Sequence, residues 1–191
     1  MSGVVLRRAT RQDAAELAIL VDIASHGLAN WLWYGAVIEG RTDTAFERGR
    51  RRMLDDERPG GWKCAVIAEK DGEVAGAVIA YRLDESVAAM VAPHPVIAPL
   101  MGLQCEAIGS WYIDSLGVYR DHRRQGIGRK LLGDQLTRAT AGSSLITESH
   151  NDTAQALYRD LGFVEVARRE AVPLYENSKR HDWVLMIREA A

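Results

Sequence analysis

The residues best placed by type and spacing to do chemistry lie in the segment Ser115–Leu132. Here Arg123-x-x-Gly126-x-Gly128 follows an apolar, β-leaning run and precedes a helical pattern. Glycines at these positions let a ligand approach the backbone because no Cβ stands in the way. The helix that follows offers unpaired N–H groups and the positive end of its dipole. The segment therefore predicts an anion-binding site, and a diphosphate fits it.

This glycine loop differs from the two commoner phosphate loops. No third glycine completes a dinucleotide fingerprint, and no Gly-Lys-Ser/Thr completes a P-loop. Basic residues surround it, namely Arg120, His122, Arg123, Arg124, Arg129 and Lys130. Such a group is usually a solvated helix end, but the glycines between its members favour phosphate binding.

A second motif runs from Asn151 to Phe163, as Asn151-Asp-Thr-Ala-Gln-Ala-Leu-Tyr158-Arg-Asp-Leu-Gly162-Phe163. Its apolar residues recur at helical spacing, Gly162 falls where a left-handed C-cap belongs, and Asn151 is predicted to cap the helix start. The motif also contains Tyr158, whose hydroxyl is a candidate for chemistry. The alternative for Tyr158 is a structural residue with its ring in the core and its hydroxyl at the rim.

Together the two motifs resemble the two signatures of the GNAT superfamily of N-acyltransferases, whose acyl-CoA loop reads Gln/Arg-x-x-Gly-x-Gly/Ala. The resemblance extends more loosely to a β-α start near residue 4 and a closing strand near residue 183. It implies one α/β (α+β) domain over residues 1–191. In such a domain a mixed, mostly antiparallel sheet of six to seven strands is flanked by about four helices. It also implies acetyl-CoA as co-substrate, with no metal.

The resemblance implies how acetyl-CoA is held. Pantetheine would lie between two diverging strands, paired with backbone groups of Leu116 and Val118, and the Val118 N–H would polarise the thioester carbonyl. Gly117 would mark a bulge that helps this strand diverge. The pyrophosphate would lie on the N–H groups of Arg124–Arg129, and Asn151 would hold the pantetheine arm. The expected cofactor-binding residues are Leu116, Val118, Arg123, Arg124, Gln125, Gly126, Ile127, Gly128, Arg129, Asn151 and Tyr158.

The implied reaction is direct attack of an amine on the acyl thioester. A lysine-like amine has a pKa of about 10.4, so a group must take its proton and another must protonate the departing thiolate. Tyr158 matches the family's general acid. Asp114 is the first candidate base because it lies in phase with Leu116 and Val118 on an apolar strand, where its pKa would be raised. Otherwise Asp114 pairs with an arginine or caps a loop, and an ordered water, Glu148 or His26 is the base.

Composition bounds the function. The 191 residues carry a net charge of -2, which argues against a nucleic-acid surface across the whole protein. Two cysteines are too few for a disulfide framework, and no apolar signal segment is seen at the N-terminus, so a cytoplasmic protein is expected. The apolar stretch 87–103 contains three prolines. It therefore predicts a loop or lid, not a membrane span.

The hydrophobic pattern predicts the elements that position these residues. Strands are expected at 4–8, 63–69, 73–82, 110–118, 144–149, 164–168 and 183–188. Helices are expected after Thr10, over 42–56, over 125–141 and after Asn151. The aromatic cluster Trp31, Trp33 and Tyr34 either lines a pocket or packs in the core.

Several alternatives stay open from the sequence. The acceptor amine is expected to belong to a small molecule, and a protein N-terminus remains an alternative. A non-catalytic acyl-CoA-binding sensor would keep the glycine loop but need neither an acid nor an acceptor pocket. Homodimerisation follows the family's habit, but no sequence stripe identifies a surface.

Overall fold

A computed structural model describes residues 3–190 and shows one seven-stranded sheet. Its strands are β1 (Val5–Arg8), β2 (Ala65–Lys70), β3 (Glu73–Arg82), β4 (Trp111–Val118), β5 (Ser143–Glu148), β6 (Val164–Glu170) and β7 (Asp182–Arg188). The strand order is β1-β2-β3-β4-β5-β7-β6, and β4 pairs with β5 in parallel, with Trp111 opposite Ser143. The mixed, mostly antiparallel sheet predicted from the sequence is confirmed.

Residues 3–190 contain seven α-helices, where about four were predicted. They are α1 (Ala14–Ala24), α2 (Leu28–Ile38), α3 (Ala45–Met53), α4 (Ser86–Ala89), α5 (Ala98–Cys105), α6 (Ile127–Leu136) and α7 (Asp152–Asp160). The additional helices are α2, α4 and α5. No helix in residues 3–190 is long and apolar enough to span a bilayer.

The proline-rich stretch, expected as a loop or lid, is irregular only over 90–94 and is otherwise helical. Pro95 begins a 3₁₀ turn, and Pro99 lies in the first turn of α5. Proline is tolerated there because the N–H groups of a first helical turn have no partner within the helix. His94 caps the 3₁₀ turn, where its Nδ1 accepts a hydrogen bond from the Val96 N–H at 3.2 Å.

The chain divides into two compact units. The first contains the described residues through Tyr81 together with Asp114–Gln135, and the second contains Arg82–Ile113 and the described residues from Leu136 onward. That the whole chain acts as one domain remains a prediction.

In the first unit, β1–β3 form an antiparallel ladder and α1, α2 and α3 pack against one another. β2 and β3 form a hairpin that turns at Asp71 and Gly72, both with positive φ. Trp33 packs against the core, which supports the structural alternative for that member of the aromatic cluster. The buried core residues are Ala9, Ala14, Leu17, Ala18, Leu20, Met53, Ala65, Ile67, Ala77 and Ile79.

Two glycines allow close backbone contacts in the first unit. A Cβ on Gly117 would lie 2.4 Å from the carbonyl oxygen of Leu20, and a Cβ on Gly76 would lie 2.6 Å from the carbonyl oxygen of Gly117. Both distances are shorter than any stable contact. Glycine is therefore required at position 117 because α1 approaches the backbone of β4, and at position 76 because β4 approaches the backbone of β3.

In the second unit, β7 pairs antiparallel with both β5 and β6, and α5 packs on β6 and β7. A register shift interrupts the β6–β7 ladder between Glu165 and Ala167. The large side chains with almost no exposed surface are Leu103, Phe163, Leu145, Leu185 and Met186.

Candidate active site

The glycine loop before α6 has a backbone conformation that leaves space beside Gly126. Arg124 and Gly126 both have positive φ, 59° and 79°. A Cβ built on Gly126 would meet no atom within 4 Å, which leaves room for a ligand at that position. Ile127 is 1% exposed and anchors the start of α6, and the N–H of Lys130 bonds to the Gly126 carbonyl oxygen at 3.0 Å. Earlier N–H groups of this turn have no carbonyl within the helix to bond, so they suit an anion.

Two of the residues predicted to bind cofactor also hold the loop in place. Arg123 donates from Nε to the Val118 carbonyl oxygen at 3.0 Å, which ties the loop to the end of β4. Gln125 accepts from Lys70 Nζ at 2.6 Å and donates to the Asp121 carbonyl oxygen at 3.1 Å. The loop is thus braced by hydrogen bonds on both sides of Arg124.

Asp114 lies on β4 in the first unit, as do the predicted pantetheine-binding residues Leu116 and Val118. Its Oδ1 accepts a hydrogen bond from the Tyr81 hydroxyl, and its Oδ2 accepts one from Ser115 Oγ, each at 3.1 Å. The side chain keeps solvent-accessible surface, but protein atoms surround it closely. This desolvation raises the pKa of Asp114, against smaller lowering effects of Ser115, Tyr81 and the Arg52 charge.

Arg52, Gly60 and Tyr81 surround the Asp114 carboxylate, and we call these four residues with Ser115 the Asp114 recess. The point where Gly60 would carry a Cβ is 3.4 Å from Arg52 Nη2, 3.4 Å from Tyr81 Cε1 and 4.0 Å from Asp114 Oδ2. No salt bridge joins Asp114 to an arginine in residues 3–190, so the arginine-pairing alternative is not what the structure shows. Sequence reasoning missed Arg52, Gly60 and Tyr81, because nothing local relates them to Asp114.

Tyr158 lies on α7 in the second unit and is 9% exposed. Its ring makes an edge contact with Phe163, with centroids 6.1 Å apart. Within the described part of the chain its hydroxyl has no hydrogen-bond partner, and desolvation raises the pKa of Tyr158 to about 12. The phenol therefore keeps its proton at neutral pH.

Asn151 caps α7, as the sequence predicted. Its Oδ1 accepts a hydrogen bond from the Ala154 N–H at 3.3 Å. This contact uses the side-chain oxygen, so the side-chain NH₂ group is what Asn151 can offer to a pantetheine carbonyl.

The reserve candidates for the base have other surroundings. Glu148 is buried at the end of β5, and its Oε2 lies 3.3 Å from His150 Nε2. His26 has a positive φ of 50° in the turn between α1 and α2. Among residues 3–190 there is no group of three His, Cys, Asp or Glu side chains that could hold a metal ion.

Similar folds occur among solved structures. An N-acetyltransferase from Staphylococcus aureus Mu50 superposes with a TM-score of 0.65 over 96% of this chain and 99% of that one, at 21% identity. The ribosomal-protein-S18-alanine N-acetyltransferase from Escherichia coli gives 0.61 over 99% and 95%, at 17% identity. A putative acetyltransferase from Salmonella typhimurium, solved with its cofactor acetyl-CoA, gives 0.58 over 100% and 95%, at 18% identity. At these identities the likeness shows the fold.

The family follows from the sequence itself. The model of the acetyltransferase (GNAT) family matches residues 26–163, and the chain belongs to this family. An uncharacterized Mycobacterium leprae protein is 37% identical over 79 residues, which is 41% of this chain and 21% of that protein. The chain thus matches about a fifth of the length of that relative.

Proposed function

We propose that the protein is an acetyl-CoA-dependent N-acetyltransferase that moves the acetyl group to a primary amine of a small molecule, by direct attack in a ternary complex. The observation that carries this proposal is the state of Asp114. It is an accessible carboxylate with a desolvation-raised pKa, on the strand that leads directly into the anion loop. Carboxylates with a pKa raised by desolvation cluster at functional sites.

The residues of the first unit fit acetyl-CoA, which supplies an activated acyl thioester when bound. The space beside Gly126 and the N–H groups at the start of α6 suit the pyrophosphate. In this proposal the N–H groups of Arg124 through Arg129 hold the diphosphate. The backbone of Leu116 and Val118 pairs with pantetheine, and Asn151 contributes its amide NH₂ group.

Asp114 is the proposed general base. The incoming amine is protonated at neutral pH, with a pKa of about 10.4 if it resembles lysine. Raising the pKa of the carboxyl narrows the gap between the two groups, so the proton moves with a smaller uphill step. Tyr81 and Ser115 hold the two carboxylate oxygens in a fixed orientation while leaving each oxygen a further lone pair.

Tyr158 is the proposed general acid for the sulfur of CoA. With a pKa of about 12 against about 8.5 for an ordinary thiol, complete transfer to a free thiolate would cost about 5 kcal/mol. We therefore infer that the hydroxyl acts mainly by donating a hydrogen bond to the sulfur as negative charge develops there. The hydroxyl is available for that bond because no described residue competes for it.

The test is thiol release from acetyl-CoA with a panel of amino acids, polyamines, aminoglycosides and N-terminal peptides, with calorimetric acetyl-CoA binding measured in parallel. Tyr158→Phe is the discriminating variant. We expect it to lower kcat about 10- to 10²-fold while acetyl-CoA binds as before, because only the hydrogen-bond donor to the developing thiolate is removed. The melting temperature should be nearly unchanged, since the deleted hydroxyl makes no hydrogen bond to a described residue.

Absence of acetyl-CoA binding would overturn the proposal. Binding without turnover on any acceptor, and unchanged by Tyr158→Phe, would favour the sensor alternative. Cytoplasmic location and homodimerisation remain predictions.

A further inference from the structure

Arg52 forms no salt bridge with a described residue in the Asp114 recess, although its charge acts on Asp114 from a distance. Its Nη2 donates to the Pro59 carbonyl oxygen at 2.6 Å. Its Nη1 is buried and has no hydrogen-bond partner in the part of the chain that the structure describes. Asp114 lies close by, yet it receives its hydrogen bonds from Tyr81 and Ser115 instead.

This arrangement is costly unless it serves a ligand. A buried donor left without an acceptor destabilises the fold, and a guanidinium cannot avoid this by losing its proton. A direct ion pair with Asp114 would satisfy Arg52, but it would lower the pKa of the carboxyl and weaken it as a base. Because no salt bridge joins the two side chains, the pKa of Asp114 is not lowered further and Arg52 can bind another anion.

A second arginine strengthens the positive potential at this place. Arg48 precedes Arg52 by one helical turn on α3, so the two side chains leave the helix on the same face. No ion pair of Arg48 is found among residues 3–190. By contrast, Arg51 on another face of α3 forms a salt bridge with Glu47.

We propose that Arg52 binds a carboxylate of the acceptor, and that the acceptor is an ampholyte with this carboxylate near its reacting amine, as in an α-amino acid. This inference rests on the proposed function. The amine lies against Asp114 and the carboxylate against Arg52, so that each charge of the ligand meets its opposite. A polyamine or an aminoglycoside brings only positive charge next to Arg52 and is disfavoured.

Contact with Arg52 requires the side chain to turn, because Nη1 is covered. The guanidinium is held at one point, by the Pro59 carbonyl oxygen. Gly60, next to Pro59, has a φ of 84° and carries no side chain over the guanidinium, Tyr81 and Asp114. Arg52 can therefore exchange one neutral acceptor for a bidentate carboxylate, which binds it more strongly.

The experiment compares the proteinogenic L-amino acids with their amides as acceptors, in the full-length protein with acetyl-CoA. Thiol release gives kcat and KM for each pair. We expect at least one acid to exceed its amide in kcat/KM by about 10-fold or more, since a hydrogen bond to a charged group contributes about 1.5–3 kcal/mol. Arg52→Met should remove this preference through KM, and Arg52→Lys should keep part of it. Arg51→Met is the matched control on the same helix and should leave the preference unchanged.

The inference is overturned if every acid is turned over no better than its amide, including the case in which no acid is turned over at all. It is equally overturned if Arg52→Met leaves the ratio of acid to amide unchanged while the variant keeps its melting temperature. Calorimetry with acetyl-CoA separates this failure from that of the proposed function. If amines without a carboxylate are acetylated and the amino acids are not, only the proposed role of Arg52 is wrong. Absence of acetyl-CoA binding overturns the proposed function itself.

Discussion

The hydroxyl of Tyr81 donates a hydrogen bond to Oδ1 of Asp114 over 3.1 Å, across 33 positions of sequence. A hydrogen bond of this kind stabilises the charged form of the carboxyl and so lowers its pKa. It acts against the desolvation that raises the pKa of the same group. Tyr81 is thus a positioning residue that also limits how basic Asp114 becomes.

Tyr81→Phe should therefore raise the pKa of Asp114 further. If Asp114 is the base, the acidic limb of the profile of kcat/KM against pH should move to higher pH, because more protons must be removed before the base is free. A profile measured between about pH 5 and pH 9 checks this. Tyr175→Phe, at an exposed tyrosine, is the control and should leave the limb in place. An unmoved limb in Tyr81→Phe would exclude Asp114 as the titrating base.

Gly126→Asp should abolish acetyl-CoA binding, because it places a negative charge in the open space proposed for the diphosphate. Gly126→Asn is the matched variant. It has nearly the same size and tolerates the positive φ of this position equally well, but it carries no charge. Calorimetric titration should show a much larger loss for Asp than for Asn. Equal affinities would contradict the assignment of the loop.

Gly117→Ala should destabilise the fold by about 1–3 kcal/mol, the range for a forced contact in a packed site. Its Cβ would lie 2.4 Å from the carbonyl oxygen of Leu20. Gly133→Ala on α6 is the control, because its Cβ would meet nothing within 4 Å. That control should be neutral or stabilising by up to about 1 kcal/mol. Urea unfolding measures both, and a Gly117→Ala variant as stable as the parent would refute the close approach.

The first unit should lose the stabilisation that the Asp13 carboxylate provides when the pH is lowered. Arg7 donates a hydrogen bond to each carboxylate oxygen of Asp13, at 2.7 and 2.9 Å. These hydrogen bonds lower the pKa of Asp13 to about 2. A lowered pKa contributes stability at neutral pH, here about 2 kcal/mol, which is lost as pH falls from about 4 towards 2.

The free-energy difference between the parent and Asp13→Asn, measured by urea unfolding, should therefore be largest above pH 5 and shrink towards pH 2. Asp71→Asn, in an exposed turn that suits asparagine, should show no such trend. A difference that stays constant with pH would show that the ion pair does not act through the charge of Asp13.

Much of the fold was predictable because its signals are local. Asp13 accepts a hydrogen bond from the Thr10 N–H where the helical region begins, Asn151 caps α7, and Asp71-Gly72 turns the hairpin. Each of these depends on residues within a few positions of one another. The strands follow from hydrophobic runs that lie between such signals.

Helices α2 and α5 were missed because their sequences hide the helical period. In α2 the residues are apolar on nearly every face, so no polar face marks the repeat. In α5 the prolines that suggested a loop lie where a helix accepts them, in its first turn. A pattern of residue types alone does not separate these cases.

The glycine loop and Asp114 were predicted, but the surroundings of Asp114 were not. Arg52 and Tyr81 come from α3 and β3, far from Asp114 in sequence, and only the folded chain brings them to one carboxylate. The sequence around Gly60 indicates a turn and nothing about a site. The proposed acceptor preference therefore needed the structure, whereas the proposed cofactor did not.

The loop that contains Arg124 has one further consequence, for the rate at which it captures an anion. Arg124 already has a left-handed φ, which most residues avoid, and hydrogen bonds from Arg123 and Gln125 hold the backbone on either side. If the loop binds a diphosphate, as proposed, its backbone is already held in this conformation, so little ordering entropy would be lost on association. Capture is then governed by diffusion and by the surrounding positive charges, and added salt should slow arrival more than it speeds departure.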